Sequence, residues 1–156
     1  MISDTHSYLD ETIFEHFKHC DEVWHGGDFG DRIVEKLKEF KSLKGVYGNI
    51  DGMNIRTEFP EQQVFMCEEV KVMMRHIGGY PPRYNPETKK ELLIHQPQLF
   101  ISGHSHILKV MYDDKLQCLH MNPGAAGKQG WHKVQTIIRF VIDGKNMKDC
   151  EVIELS

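Results

Sequence analysis

At 156 residues, with 40% hydrophobic and 27% charged residues, the chain is about one domain's worth and long enough to bury a real core. Its formal net charge of -4 argues against a nucleic-acid coat or a membrane-surface patch as its main role. No run approaches the roughly 18 apolar residues of a membrane span, no leader-like segment opens the chain, and the scattered Cys20, Cys67, Cys118 and Cys150 form no CxxC pair. Those features predict reduced thiols, a cytoplasmic protein, and a local source of positive charge wherever an anionic substrate binds.

The chain opens on Met1-Ile2, then Ser3-Asp4-Thr5-His6-Ser7. Leu9, Ile13 and Phe17 recur at helical spacing and predict an amphipathic helix from about Leu9 to Cys20. Glu22-Val23-Trp24 reads as a short strand ending at His25-Gly26-Gly27-Asp28. Asp31 is a candidate cap for a second helix with Ile33, Leu37 and Phe40 on its buried stripe. Gly45-Val46-Tyr47 is the next strand, ending at Gly48-Asn49-Ile50-Asp51-Gly52.

From there the pattern changes. Gln63–Cys67 and Val70–Arg75 read as a hairpin around Glu68-Glu69, with Val70, Val72, Met74 and His76 on one face. After Gly78-Gly79-Tyr80-Pro81-Pro82, Asn85 caps a helix that has Pro86 at its first position and runs to about His95. Leu99–Ser102, Lys109–Tyr112 and Gln117–Met121 follow as strands. A hairpin of Thr136–Ile142 and Lys148–Leu155 closes the chain at Asp143-Gly144. Strands and helices that each carry a buried face predict two sheets packed together and flanked by helices. No repeat or linker interrupts the pattern, so one domain over residues 1–156 is expected.

The informative fact is where the polar residues fall. Each apolar run ends in a turn bearing a residue able to bind metal: Asp4 and His6, then Asp28, Asn49, His76, and finally His104 and His106 within Gly103-His104-Ser105-His106. Gly27, Gly48, Gly78 and Gly103 sit beside them, as expected where backbone turns tightly near a ligand. Taken singly, Asp28 reads equally well as a helix cap, Asn49 as a turn residue and His76 as a core histidine. Their recurrence at successive strand ends points to a shared site.

Seven nitrogen and oxygen donors without a thiolate exceed what one four-coordinate zinc needs. They suit two metals about 3.5–4 Å apart that share a carboxylate. Two divalent ions against Asp4 and Asp28 would leave a surplus of about two positive charges, lowered to about one by a bridging hydroxide. That surplus would attract a phosphate ester. The donor mix favours manganese, iron or zinc over copper(I) or an iron–sulfur cluster. Side chains two apart on extended chain share a face, so spacing alone lets His104 and His106 serve one metal or two.

Ser3-Asp4-Thr5-His6, Gly27-Asp28, Gly48-Asn49-x-Asp51, His76 and Gly103-His104-Ser105-His106 resemble the motif set of the calcineurin-like metallophosphoesterases. The length and Asn122-Pro123-Gly124 resemble the small single-domain bacterial and archaeal phosphodiesterases of that superfamily. The resemblance implies an α/β fold, a four-layer α/β/β/α sandwich of two mixed sheets, with a dinuclear site at the strand ends. It implies that Asp4, His6 and His106 hold one metal, that Asn49, His76 and His104 hold the other, and that Asp28 bridges. Two divalent ions are then expected, manganese first, with iron, zinc or nickel as alternatives. Asp28, Asn49 and His76 would act in catalysis through metal and substrate positioning.

Two positions depart from the family pattern. Ile50 stands where many members carry a histidine that protonates the leaving group or positions substrate, and isoleucine does neither. Asp51 then falls back to a turn role, and a slow diesterase favouring good leaving groups is expected. Only Met1 and Ile2 precede Ser3, where the family has an apolar strand, and strands average about 5–6 residues. The first strand is therefore expected to be truncated, through a start placed late or a real loss, and Asp4 and His6 would lose support.

The function read from the sequence is a phosphodiesterase using a metal-bridging hydroxide on a small phosphate ester or nucleotide. A phosphomonoesterase or nucleotide phosphatase is the nearer alternative. The more distant one is a scaffold resembling the retromer subunit that shares this fold. No membrane or strong nucleic-acid signal is present, and a homo-oligomer is compatible with the sequence. His25 is expected to pack rather than ligate, and Tyr80 and Arg83 to lie on a loop that is either solvated or near substrate. His16, His19, His95, His120 and His132 carry no motif.

Overall fold

The computed structural model describes residues 1–155; Ser156, the last residue of the expected domain, lies outside them. In chain order the elements are α1 (Thr12–His16), β1 (Glu22–His25), α2 (Ile33–Phe40), β2 (Ser42–Gly45), α3 (Met53–Glu58), β3 (Gln62–Cys67), β4 (Val70–Arg75), β5 (Gly79–Tyr80) and β6 (Arg83–Tyr84). Then follow α4 (Pro86–His95), β7 (Leu99–Ile101), β8 (Leu108–Asp113), β9 (Cys118–Pro123), β10 (Gln135–Asp143) and β11 (Asn146–Leu155).

One sheet runs β3-β4-β7-β9-β8, parallel across β4-β7-β9 and antiparallel at both edges. The other is assembled around the N-terminus. β1 and β2 are parallel, β10 and β11 antiparallel, and Met1–Ser3 lie between the two pairs. Ile2 bridges His25 in parallel, its N–H donating to Trp24 O at 2.9 Å. On the other side Met1 and Ile138 exchange both backbone hydrogen bonds. The segment before Asp4, expected as a short first strand, is thus an isolated bridge at Ile2 with backbone hydrogen bonds on both sides.

Side-chain alternation explains the layering. Ile2 points with Val23 and Ile137 to Ile13, Phe17, Ile33 and Leu37, under α1 and α2. Met1 points the other way, with Val72, Met74, Leu99, Ile101 and Ile138, between the sheets. Met73 and Phe100 face Leu92 of α4. Three apolar interfaces separate four layers, α/β/β/α, and each fully buried Leu, Ile or Phe contributes roughly 1.5–3 kcal/mol to them.

The hairpin of β3 and β4, the Asn85 cap with Pro86 at the helix start, and the closing hairpin stand where the sequence put them; Asn85 Oδ1 accepts from Glu87 N–H at 3.1 Å. Three local expectations need correction, and one helix was not expected at all. The first helix is only Thr12–His16, because Asp10 Oδ1 accepts the Thr12 N–H at 2.9 Å and holds the preceding residues out of the helix. Asp31 does not cap α2: its backbone N–H is turned to Ser7 Oγ, and Arg32 enters the helix through a left-handed conformation (φ 63°). β2 is Ser42–Gly45 and ends before Tyr47, whose N–H leaves the sheet for Pro60 O. The turn after Gly52 opens α3, which no strong periodicity marked.

Candidate metal centre

Met1–Ser3, β1 and β2 are parallel neighbours in one sheet, and β4 and β7 in the other, and their C-terminal ends face one another. The turns leaving these five segments carry Asp4 and His6, Asp28, Asn49, His76, and His104 and His106. All seven expected residues come together there. Such an edge is where ligands settle in open α/β sheets.

The structure sorts them into two groups. One ligand atom each from Asp4, His6 and His106 lies within 4.8 Å of the others, and the same holds for Asp28, His76 and His104. The two histidines that spacing left undivided therefore face different groups. Asn49 Oδ1 joins the second, 3.1 Å from His76 Nε2 and 2.9 Å from His104 Nδ1. Asp28 stands between them: Oδ1 accepts the Ile50 N–H at 3.0 Å, while Oδ2 lies 3.2 Å from His76 Nε2 and 3.8 Å from His6 Nε2.

The surrounding contacts orient donors rather than satisfy them. Asp4 Oδ2 accepts from Ser3 Oγ at 2.6 Å and from the His104 N–H at 3.1 Å. Asp4 Oδ1, fully buried, accepts no well-formed hydrogen bond even though His106 Nε2 is 3.2 Å away. His76 Nδ1 donates to Gly26 O at 2.7 Å, which leaves Nε2 as the free lone pair of the neutral ring. Asp4, His6, Asp28, His104 and His106 all have positive φ, between 46° and 67°. Non-glycine residues adopt that region rarely, and its strain gathers where function demands a fixed direction. Gly27 (φ 103°) permits a close approach: a Cβ there would meet His76 Nδ1 at 2.6 Å.

An orphaned buried carboxylate oxygen and converging imidazole nitrogens fit divalent cations bound by hard and borderline ligands. The sequence model described as the calcineurin-like phosphoesterase superfamily domain matches residues 1–145. The chain belongs to that superfamily.

Within the superfamily, the chain is 31% identical over 133 residues to a probable metallophosphoesterase of Methanocaldococcus jannaschii, an overlap covering 80% of this chain and 66% of the relative. The chain thus spans just under two thirds of that relative's length. Among solved structures, a novel archaeal phosphodiesterase superposes with a TM-score of 0.73 at 23% identity, over 99% of this chain and 97% of the other. Entamoeba histolytica Vps29 complexed with zinc superposes with 0.74 at 17% identity, over 98% and 96%. Both share the four-layer fold.

Charge follows the geometry. Burial alone would raise the Asp4 carboxyl, but the close His106 imidazole, the charge of His76 and the Ser3 hydroxyl carry it below the usual carboxylate range. Asp28 is lowered in the same way, burial being outweighed by His76. His76 is raised, since Asp28 and Asp4 overcome its burial, and His106 is raised chiefly by its contact with Asp4. His104 is lowered by burial and by the charge of His76. Proton and metal therefore compete for the same atoms.

His25 packs: its ring stacks on Phe29 at 3.7 Å, Nε2 meets Thr5 Oγ1 at 3.0 Å, and Nδ1 accepts the Gly27 N–H. Asp51 has more than a turn role, since it accepts the N–H groups of Phe29, Gly30 and Gly48 and so joins the Asp28 loop to the Asn49 loop. Sequence reasoning missed His132. Its Nε2 donates to Gly127 O at 2.8 Å, and its ring edge meets His106 with centroids 5.1 Å apart. No motif surrounds it, and only the tertiary return of the 127–132 loop brings it in.

Proposed function

We propose that this superfamily member is a cytoplasmic, dinuclear metal-dependent phosphodiesterase acting on a small phosphate ester or nucleotide, in one domain over residues 1–156. The observation that carries the reading is Asp28 Oδ2, placed within reach of histidines from both groups. Asp4, His6 and His106 would hold one ion, and Asn49, His76 and His104 the other. Four free cysteines suit a reducing compartment, and no described helix is long and apolar enough to cross a membrane.

When bound, two divalent ions, manganese first among manganese, iron, zinc and nickel, supply positive charge for phosphate oxygens and lower the pKa of water. The chain's own residues set the geometry. Asn49 and His104 are the exposed members, so substrate enters from their side. Asp28 and His76 are buried behind them and fix the donor atoms in the water-poor part of the site. Ile50, 47% exposed beside Asp28, offers no proton, so the leaving group departs as an anion and stable anions are favoured.

Bis(p-nitrophenyl) phosphate with manganese tests the reading, alongside p-nitrophenyl phosphate and metal analysis of the purified protein. Wild type should bind about two ions and prefer the diester, and Asp28→Asn should lose at least about tenfold in metal affinity and rate. Equal inactivity of both proteins across manganese, iron, zinc and nickel would sink it. A second reading, an interaction subunit, draws on Ile50 and on Met53, 74% exposed at the start of α3, as an apolar rim beside the site. It predicts weak metal binding, which the same metal analysis reads.

A further inference from the structure

A cleft of about 250 Å3 opens beside His104, on the α4 side of the five-stranded sheet. Its walls are Ile77, Ile107 and the Tyr80 ring, and Lys109 Nζ lies 3.6 Å from the centre of that ring. Its inner lining includes His120 of β9, which tilts against Phe100 with centroids 5.2 Å apart and is 1% exposed. Neither ring nitrogen of His120 meets a hydrogen-bond partner among the described residues. Buried polar atoms are ordinarily paired, and an unpaired imidazole in the lining of a cleft leaves a donor and an acceptor unmatched there. Burial pushes its pKa down to about 4, so at neutral pH the ring offers one donor and one acceptor and no charge.

Resting on the phosphodiesterase reading above, we infer that this cleft is a subsite for one ester arm of the substrate, and that the arm is a planar heteroaromatic group, a nucleobase carried by a nucleoside. The walls expose mainly apolar and aromatic surface, with Asn85, Ser105 and Asn122 among the lining, which suits a flat ring with polar edges. The volume admits one base rather than a polymer. A neutral donor–acceptor pair matches the edge of a base, and an aliphatic arm would leave it unmatched.

The cleft on the far side of Ile77 argues against a polyphosphate arm. It holds Arg56 and Arg75. Arg75 is paired with Glu61 at 3.2 Å and Glu87 at 2.8 Å, while Arg56 donates to Asp51 O and lies over the Tyr47 ring. Neither guanidinium waits for a second phosphate.

The test compares two diesters with the same leaving group, thymidine 5′-(p-nitrophenyl phosphate) and ethyl p-nitrophenyl phosphate, using the manganese-loaded full chain. Wild type should prefer the nucleoside ester by about tenfold or more in kcat/KM, the scale of one stacked base. His120→Phe, which keeps the ring and removes its nitrogens, and Ile107→Glu at the exposed rim should each cut that preference severalfold, mainly through KM. Thymidine alone, added to chelated protein, should shift the His120 imidazole nitrogen resonances. Absence of the preference in active wild type, or its persistence in both variants, overturns the subsite. If instead neither diester nor bis(p-nitrophenyl) phosphate is cleaved, the phosphodiesterase reading fails, while the thymidine titration still decides the cleft: shifted His120 resonances support it and unshifted ones overturn it.

Discussion

His6 and His106, one hundred residues apart, bring their Nε2 atoms to 3.3 Å across the mouth of the first ligand group. Asp4 Oδ1 lies 3.2 Å from one of them and 3.8 Å from the other. Three electron-rich atoms at these distances repel or compete for protons unless a cation sits among them. Manganese at about a hundred times its Kd should then add about 2.7 kcal/mol to stability, a rise of roughly 5–10 °C in melting temperature for a chain of this size. Differential scanning fluorimetry with and without chelator reads it. In His6→Ala with His106→Ala the metal-induced rise should shrink by half or more; an unchanged rise would place the metal elsewhere.

Asp51 gives a second prediction. It is 3% exposed and accepts three backbone N–H groups, at 2.8, 3.2 and 3.1 Å, from Gly48, Phe29 and Gly30. Asp51→Ala leaves those donors with no acceptor in the same place, at about 1–3 kcal/mol for each that water cannot reach. The variant should melt several degrees lower, and it should lose metal affinity as well, because the loops carrying Asp28 and Asn49 are no longer tied. Asp51→Asn, which keeps an acceptor oxygen, should lie between the two in thermal melts and metal titrations.

These residues show what the sequence reveals and where it stops. The convergence of Asp4, His6, Asp28, Asn49, His76, His104 and His106 was legible because each follows a short apolar run, and parallel strands place their ends together. The division of His104 from His106 was not legible from spacing, since it depends on opposite groups meeting each side of one turn. The four layers were legible from alternating burial. The length of α1 was not, because Asp10 captures the Thr12 N–H and a side chain thereby overrides apolar periodicity. His120 and His132 were invisible. An imidazole on a strand or loop says nothing until the fold shows which cleft or ring it meets.

Ile50 supplies the third prediction. Its backbone N–H is fixed on Asp28 Oδ1 and its side chain is 47% exposed, so a new side chain there disturbs little packing. Ile50→His should change the melting temperature by no more than about 1–2 °C, as surface substitutions do. A proton donor beside the site should speed diesters with alkoxide leaving groups by about a hundredfold, within the usual range of general-acid catalysis. Bis(p-nitrophenyl) phosphate, whose leaving group needs no proton, should gain far less. A uniform gain across leaving groups would show that the imidazole acts by positioning substrate instead.

The final prediction concerns acid stability and again involves His120. Its folded pKa is pushed down to about 4 by burial, against an unfolded value near 6.5. Above pH 6.5 the ring is neutral in both states and contributes no pH dependence. Between pH 6.5 and 4 the unfolded chain takes up the proton and the folded one does not, so stability falls as pH falls. Below pH 4 both are protonated and the loss levels off. The full loss is about 3 kcal/mol for this one group, from about 1.4 kcal/mol per pKa unit. His25, pushed down to about 3 by burial, adds a similar slope that extends lower. Urea melts of chelated protein between pH 4.5 and 7.5 should show a slope that is shallower in His120→Phe. A slope identical in both proteins would mean that the buried ring is already paired or already charged in the folded state.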